Sequence, residues 1–471
     1  MKGAALEELR EFPGAMEELG AARDLLAGTP GRWRVLYHND GDGIASASVA
    51  AVALSRWGRP WQLTPLVSLE EARLDALLTR TRGPVLVLDT GASYLERLRR
   101  HPRPVLVLDH HRPPAPEGPG GGHLLHVNPH HWGVDGMSEC SASILTYLFA
   151  RCLDPANEDL VAYGFAGAVA DRMQVGGFRG LNLRLLERAE RKGLLHRRRE
   201  PALTGPTLGE GLARSVDPYV AGLSGRPGPV TGFLQALGLD PQATVRSLSE
   251  ADRQTLVSAW ALRLLDQGAR PEFCERVTEE HLYPLPEGEE VVTLSAFQNA
   301  CAREGEPSRG IALALGDRES RRRAEELERD WQGRVLRELG RLETERPVEG
   351  FGSLQALWVP DANLAGPVAG LALAYLLDPS RPVFALSSEP SRTKVSARGT
   401  PFLTDRGLDL ATAVREAARA VGGEGGGHRV ASGASVPKGH EGAFLQEADH
   451  RLSLQGFRPA PRESWPKESS P

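Results

Sequence analysis

The 471-residue chain has little lysine, little cysteine and no long hydrophobic run. Five lysines stand against 51 arginines, a bias spread over the whole length and of the kind a GC-rich genome produces. Arginine is suited to bidentate phosphate contacts, but so general a bias does not establish that use. The four cysteines, Cys140, Cys152, Cys274 and Cys301, are too far apart to fit a zinc template or a dense disulfide framework. A reducing, cytoplasmic setting is the expectation. No apolar stretch approaches the ~20 residues of a membrane span, and residues 1–29 are charged and amphipathic rather than signal-like. A net charge of −5 excludes a uniformly basic nucleic-acid coat, so any polyanion would be held in a local groove. With 41% hydrophobic and 25% charged residues the chain is expected to fold, at ~150 residues per domain into about three domains.

Hydrophobic periodicity predicts an amphipathic helix over Ala5 to Leu26, then a buried strand at Trp33–Tyr37 after the turn Thr29-Pro30-Gly31. Further strands are predicted at Val85–Leu88 and Val105–Leu108, with helices at Leu69–Thr81, Ser93–Arg100, Ser143–Arg151, Leu160–Ala170 and from Leu181. Strands alternating with helices imply parallel βαβ units in a doubly wound α/β sheet. Residues 1–196 are therefore expected as one α/β domain, and 197–317 as a mostly helical middle region with candidate strands at Val291–Leu294 and Ile311–Leu315. Residues 318–346, crowded with both charge signs, read as a connecting helix. A smaller α/β domain is expected over 347–455: strands Ala356–Val359, Val383–Leu386 and Thr393–Arg398, with helices Ala365–Leu377 and Leu408–Ala420. Residues 456–471 read as a disordered tail, and no internal repeat is evident.

The three early apolar runs each end in acids or imidazoles. Val35–Tyr37 leads into His38-Asn39-Asp40-Gly41-Asp42-Gly43, Val85–Leu88 into Asp89, and Val105–Leu108 into Asp109-His110-His111. Open parallel sheets bind ligands outside the carboxyl ends of their strands, where these residues would converge. Asp171 closes the apolar stretch Ala166–Ala170, a costly place for a charge unless it is paired or coordinated. One Asp at a strand end is commonly a helix cap, and one His an ordinary side chain; repetition at four stations outweighs those readings. Carboxylates mixed with imidazoles, without thiolates, suit Mn²⁺ or Mg²⁺. Two such ions about 3.5–4 Å apart can activate water and stabilise the attacking and leaving oxygens of a phosphoryl group. Metal-dependent phosphoester hydrolysis is the expected chemistry.

These four stations, His38–Gly43, Asp89-Thr90-Gly91, Asp109-His110-His111 and Asp171, resemble the successive motifs of the DHH phosphoesterase superfamily. Lys394-Val-Ser396-Ala-Arg398-Gly399-Thr400 and Gly422-Gly423-Glu424-Gly425-Gly426-Gly427-His428 resemble the substrate-binding signatures of the DHH-associated domain of RecJ-type nucleases and nanoRNases. Gly180-Leu-Asn182, Arg214 to Tyr219, Gly222 to Gly225 and Ala411 to Glu416 are similar to the archaeal-type RecJ-like branch that includes the GINS-associated nuclease. Together these segments span most of residues 33–450.

The resemblance implies that Asp40, Asp42, Asp89, His110 and Asp171 bind two metal ions, Mn²⁺ or Mg²⁺, with Asp89 the bridge. His38 joins this set with one departure: some relatives place their histidine four residues before the first motif acid, not two. Asp109 and His111 are the expected catalytic pair, Asp109 orienting an imidazole and His111 meeting the scissile phosphate or the leaving group. Lys394, Ser396, Arg398, Gly425, Gly426, Gly427 and His428 would bind substrate, the glycines letting backbone amides approach a phosphate. His123, His126, His130 and His131 form a looser cluster, expected to be mostly exposed and left outside the metal set.

The implied activity is exonucleolytic hydrolysis of single-stranded DNA, or RNA, from an end and 5′-to-3′, in repair or replication. A nanoRNase or a cyclic- or linear-dinucleotide phosphodiesterase would use the same metals, but such enzymes carry little beyond the two catalytic domains. A replication scaffold is a third reading, with the middle region as the docking site for a replication or repair protein; retention of every acidic station weighs against a purely structural role. No membrane partner is expected.

Overall fold

A computed structural model describes residues 6–66, 71–113, 120–121, 123–286 and 288–459. It divides into two compact units. The first takes the residues up to Arg199 together with Glu279–Asp330; the second takes Glu200–Thr278 and the residues from Trp331 onward. The expected middle region, 197–317, is thus shared between the units. The long helix Arg318–Glu345 contributes to both.

The first unit is built on a sheet of β1 (Trp33–His38), β2 (Trp61–Leu66), β3 (Val85–Leu88), β4 (Val105–Leu108), β5 (Gly120–Gly121) and β6 (Leu124–Val127), in the order β2-β1-β3-β4-β6-β5. The first five in that order are parallel, and β5 runs antiparallel at the edge. Both faces of the sheet are covered, which is why β3 and β4 are the unbroken apolar string Val-Leu-Val-Leu with every residue buried. Val35, Tyr37, Leu86, Leu88, Leu106 and Leu108 enter one core; Leu36, Val85, Val87, Val105 and Val107 enter the other. The chain leaves β1 toward β2 and returns on its other side to β3. The strand order therefore reverses between β1 and β3, which opens a crevice at their carboxyl ends.

A separate two-stranded sheet pairs β7 (Leu195–Pro201) with β8 (Thr278–Pro284), strands far apart in sequence. The second unit carries a mixed sheet of β9 (Val348–Gly350), β10 (Gln355–Trp358), β11 (Val383–Ser388), β12 (Arg392–Arg398), β13 (Glu424–Gly427) and β14 (Ala431–Pro437), ordered β13-β14-β12-β11-β10-β9. Only β10 and β11 pair in parallel. Leu357, Val383 and Ala385 pack on the helix Ala365–Tyr375; Ala356, Phe384, Val395 and Ala397 pack on the helices Leu410–Ala420 and Glu441–Leu454.

Several expectations need correction. Val291–Leu294 and Ile311–Leu315 are helical: they belong to Val291–Arg303, to Pro307–Ala312 and to the 3-10 turn Leu313–Leu315. A four-residue apolar run does not distinguish strand from helix; here Glu290 accepts from the amides of Val292 and Thr293 and starts a helix. The first helix is broken into a 3-10 turn at Glu7–Leu9 and a helix at Ala15–Gly28, because Pro13 lacks an amide donor and Gly14 sits at φ +86°. The Gly425–Gly427 run lies in strand β13. Ala5, Leu69, Gly118, Pro119, Gly122 and residues 460–471 lie outside the described residues. Cys140, Cys152, Cys274 and Cys301 are free thiols. Among the described residues, no helix is long and apolar enough to cross a membrane.

Candidate metal centre

Asp40 caps the helix Gly41–Arg56, its Oδ1 accepting from the Gly43 amide at 2.9 Å. The turn is tight enough that a Cβ on Gly43 would lie 2.0 Å from the His38 carbonyl oxygen, so glycine is required there. Asp42, in the first turn of the same helix, is 1% exposed and accepts from the amides of Ala142 (2.8 Å) and Ser143 (3.0 Å). Those amides open the helix Ala142–Leu153, whose positive end favours a carboxylate. Asp89 follows β3 at φ +57°, a conformation costly for a non-glycine residue and frequent at functional sites. Asp171 ends the helix Val161–Ala170.

The imidazoles are fixed as firmly. His110 Nδ1 meets the Gly136 carbonyl oxygen at 2.7 Å, which makes Nδ1 the donor and leaves Nε2 facing acids: Asp89 at 3.2 Å, Asp171 at 3.6 Å and Asp42 at 3.9 Å. His38 Nδ1 lies 2.7 Å from Asp40 and 3.4 Å from Asp89. Asp109 accepts from the Ala92 amide (2.8 Å) and holds His111 Nδ1 at 2.8 Å.

Three overlapping groups result, each with its ligand atoms within 4.8 Å: His38, Asp40 and Asp89; Asp89, His110 and His111; Asp42, His110 and Asp171. Burial pushes the Asp42 carboxyl up to about 6, helped by the charge of Asp89, and it also raises Asp40 and Asp171. Burial works to lower His38, yet its contacts with Asp40 and Asp89 raise it to about 11; His110 is raised in the same way, by Asp89 first. Asp89 is held down by His110 and His38 against the effect of burial. Neither buried oxygen of Asp89 accepts a well-directed hydrogen bond. Crowded carboxylates, orphaned oxygens and neutral-capable imidazoles are what hard divalent cations need, and the donor set fits Mn²⁺ or Mg²⁺.

The eight residues read from the four early motifs therefore come together. Lys394, Ser396, Arg398, Gly425, Gly426, Gly427 and His428 lie in the second unit. Arg398 is half-buried and packs over Gly366, in the first turn of the helix Ala365–Tyr375; burial lowers its pKa. Ser396, Gly433 and Gly426 stand opposite one another on β12, β14 and β13, so two glycines make an open floor beside Ser396. A Cβ on Gly426 would meet nothing within 4 Å, whereas one on Gly425 would lie 3.1 Å from Ala418 Cβ; Gly425 serves packing. Lys394 Nζ donates to the Ala362 carbonyl, and His428 is exposed on the hairpin between β13 and β14.

The histidine cluster differs from expectation. His126 is 1% exposed, and His131 is nearly buried with Nδ1 3.2 Å from Glu18; His123 is exposed. Sequence reading also missed the helix Val291–Arg303, which packs on the helices Gly41–Arg56 and Val161–Ala170 beneath the acids. Its only signal was the run of apolar residues mistaken for a strand.

Comparison with known proteins agrees with this geometry. Residues 356–454 match the DHHA1 domain model. An uncharacterized protein of Methanocaldococcus jannaschii is 26% identical over 455 residues, covering 96% of this chain and 99% of its own. RecJ from Thermus thermophilus in complex with Mn²⁺ is similar in structure (TM-score 0.56, 18% identity, 96% of this chain); the chain spans 56% of that protein's length. CDC45 from Entamoeba histolytica is similar over 93% of this chain and 99% of its own, at a TM-score of 0.67 and 10% identity. Residues 356–454 thus match the DHHA1 domain, and the chain shares the overall fold of RecJ and CDC45.

Proposed function

We propose that the chain is a metal-dependent phosphodiesterase that degrades single-stranded DNA, or RNA, from an end, in the 5′-to-3′ direction. The observation that carries this reading is the position of Asp89, shared by two of the three ligand groups at the crevice between β1 and β3. Asp40 and His38 would hold one ion, Asp42, His110 and Asp171 a second, with Asp89 between them. Bound there, Mn²⁺ or Mg²⁺ supplies Lewis acidity toward the phosphoryl oxygens and makes water a nucleophile at neutral pH. His111, held by Asp109 and 38% exposed at its side chain, would meet a phosphoryl oxygen or the leaving group. In the second unit, Arg398 beside a helix N-terminus and Ser396 beside the glycine floor would hold a nucleotide phosphate.

End-labelled DNA and RNA strands of several lengths, incubated with Mn²⁺ beside a dinucleotide, test this reading. Release of mononucleotides from the 5′ end of long strands supports it. Preference for the dinucleotide moves the protein to the nanoRNase class, and no cleavage of any phosphodiester refutes it.

A further inference from the structure

The helix Val291–Arg303 lies outside every motif above, yet it reaches the acidic centre. Its inner side, including Val291, Leu294 and Gln298, is buried, and Gln298 Nε2 donates to Ser48 Oγ at 3.2 Å on the helix that Asp40 caps. Its last turn is tied to the metal motif itself, because Asn39, the residue before Asp40, donates from Nδ2 to the Ala302 carbonyl at 3.2 Å. A Cβ on Gly41, between Asp40 and Asp42, would lie 2.6 Å from Asn299 Oδ1 and 2.5 Å from Ala170 Cβ, next to Asp171. The Asn299 side chain therefore packs against Gly41, the residue between Asp40 and Asp42. Arg303 is four residues on, hence on the same helix face; the residue keeps surface open to solvent, but its guanidinium is packed closely enough that burial lowers its pKa, against the attraction of Glu328, Glu304 and Asp40.

We infer that Asn299 and Arg303 form a contact edge for the nucleic-acid backbone beside the metal centre, Arg303 taking a phosphate and Asn299 an adjacent sugar or phosphate oxygen. The inference rests on the reading of the substrate as a single-stranded nucleic acid. A guanidinium fork matches a phosphate bidentately, and an amide can donate to an oxygen without adding charge. The competing explanation is a surface arginine that only closes a helix end against Glu304 and Glu328.

Salt dependence separates the two. Binding of a fluorescently labelled single-stranded oligonucleotide to the full chain is followed by anisotropy in EDTA, so that no cleavage intervenes, over a range of salt concentrations. Arg303→Gln is expected to weaken binding about tenfold. It should also flatten the plot of log affinity against log salt by about 0.7, the release expected for one phosphate on a single strand. Arg303→Lys should keep the wild-type slope, and Asn299→Ala should weaken binding without changing it. Thermal melting of each variant verifies the fold. Wild-type affinity and slope in Arg303→Gln overturn the inference alone. Absence of binding by the wild-type chain overturns the single-strand reading and the inference with it.

Discussion

His110 Nε2 stands 3.2 Å from Asp89 Oδ1, a contact between residues that follow two adjacent parallel strands. Because Gly136 occupies the other ring nitrogen, this imidazole can turn only one donor atom toward the acids. In the proposed centre the pair would set a nitrogen ligand beside the shared carboxylate.

Asp89→Asn keeps the shape of the side chain and tolerates φ +57°, since Asn is among the residues enriched in that region. It removes the anion that His110 and His38 hold down, so the metal-free chain should melt somewhat lower than the wild type while still folding. Activity should fall by more than about 100-fold, beyond the loss typical of outer partners of a metal site. Mn²⁺ should no longer raise the melting temperature. Differential scanning fluorimetry with and without Mn²⁺, run beside an activity assay, checks these statements.

Asp109 makes its contacts with Ala92 and His111 rather than with the three acid groups, so in the proposed site it would position His111. Asp109→Asn should lower kcat about 10- to 100-fold while KM and the Mn²⁺ requirement stay near wild type. Steady-state kinetics on a single-stranded substrate decide the matter; a change confined to KM would contradict it.

Gly426 faces open space on the sheet of the second unit, whereas Gly427 has φ +142° and its Cβ would lie 2.6 Å from the Ala431 carbonyl oxygen. Gly426→Val should therefore fold normally and raise KM several-fold by filling the floor beside Ser396. Gly427→Val should lose stability. Urea melts paired with KM measurements separate blocked binding from a damaged hairpin.

Burial lowers the His126 pKa from 6.5 to about 4. A histidine with a depressed pKa in the folded state contributes its stability in full above the unfolded value. That contribution is lost as pH falls from about 6.5 toward 4, and it amounts to roughly 3 kcal/mol. His126→Gln should flatten the stability–pH curve in that window and leave the curve above pH 7 parallel to wild type. Denaturant melts across this range provide the test.

The sheet of the first unit was legible because β1, β3 and β4 are apolar strings that end abruptly in acid or imidazole. β2 was not, since Pro65 interrupts it; the strand survives at the sheet edge, where a missing amide is tolerated. The acidic stations were readable one at a time, and their convergence followed from parallel topology. The burial of His126 was not readable, because it depends on packing between β6 and the helix Ala15–Gly28. Nor was the approach of Val291–Arg303 to Gly41, a contact between residues some 250 positions apart that no local pattern announces.

The most direct test of the metal centre is anomalous diffraction at the manganese edge from crystals grown with Mn²⁺. Two peaks flanking the Asp89 carboxylate, one toward Asp40 and His38 and the other toward His110 and Asp171, are the predicted result. A map with no peak among these residues, or with manganese bound only elsewhere, would contradict the account.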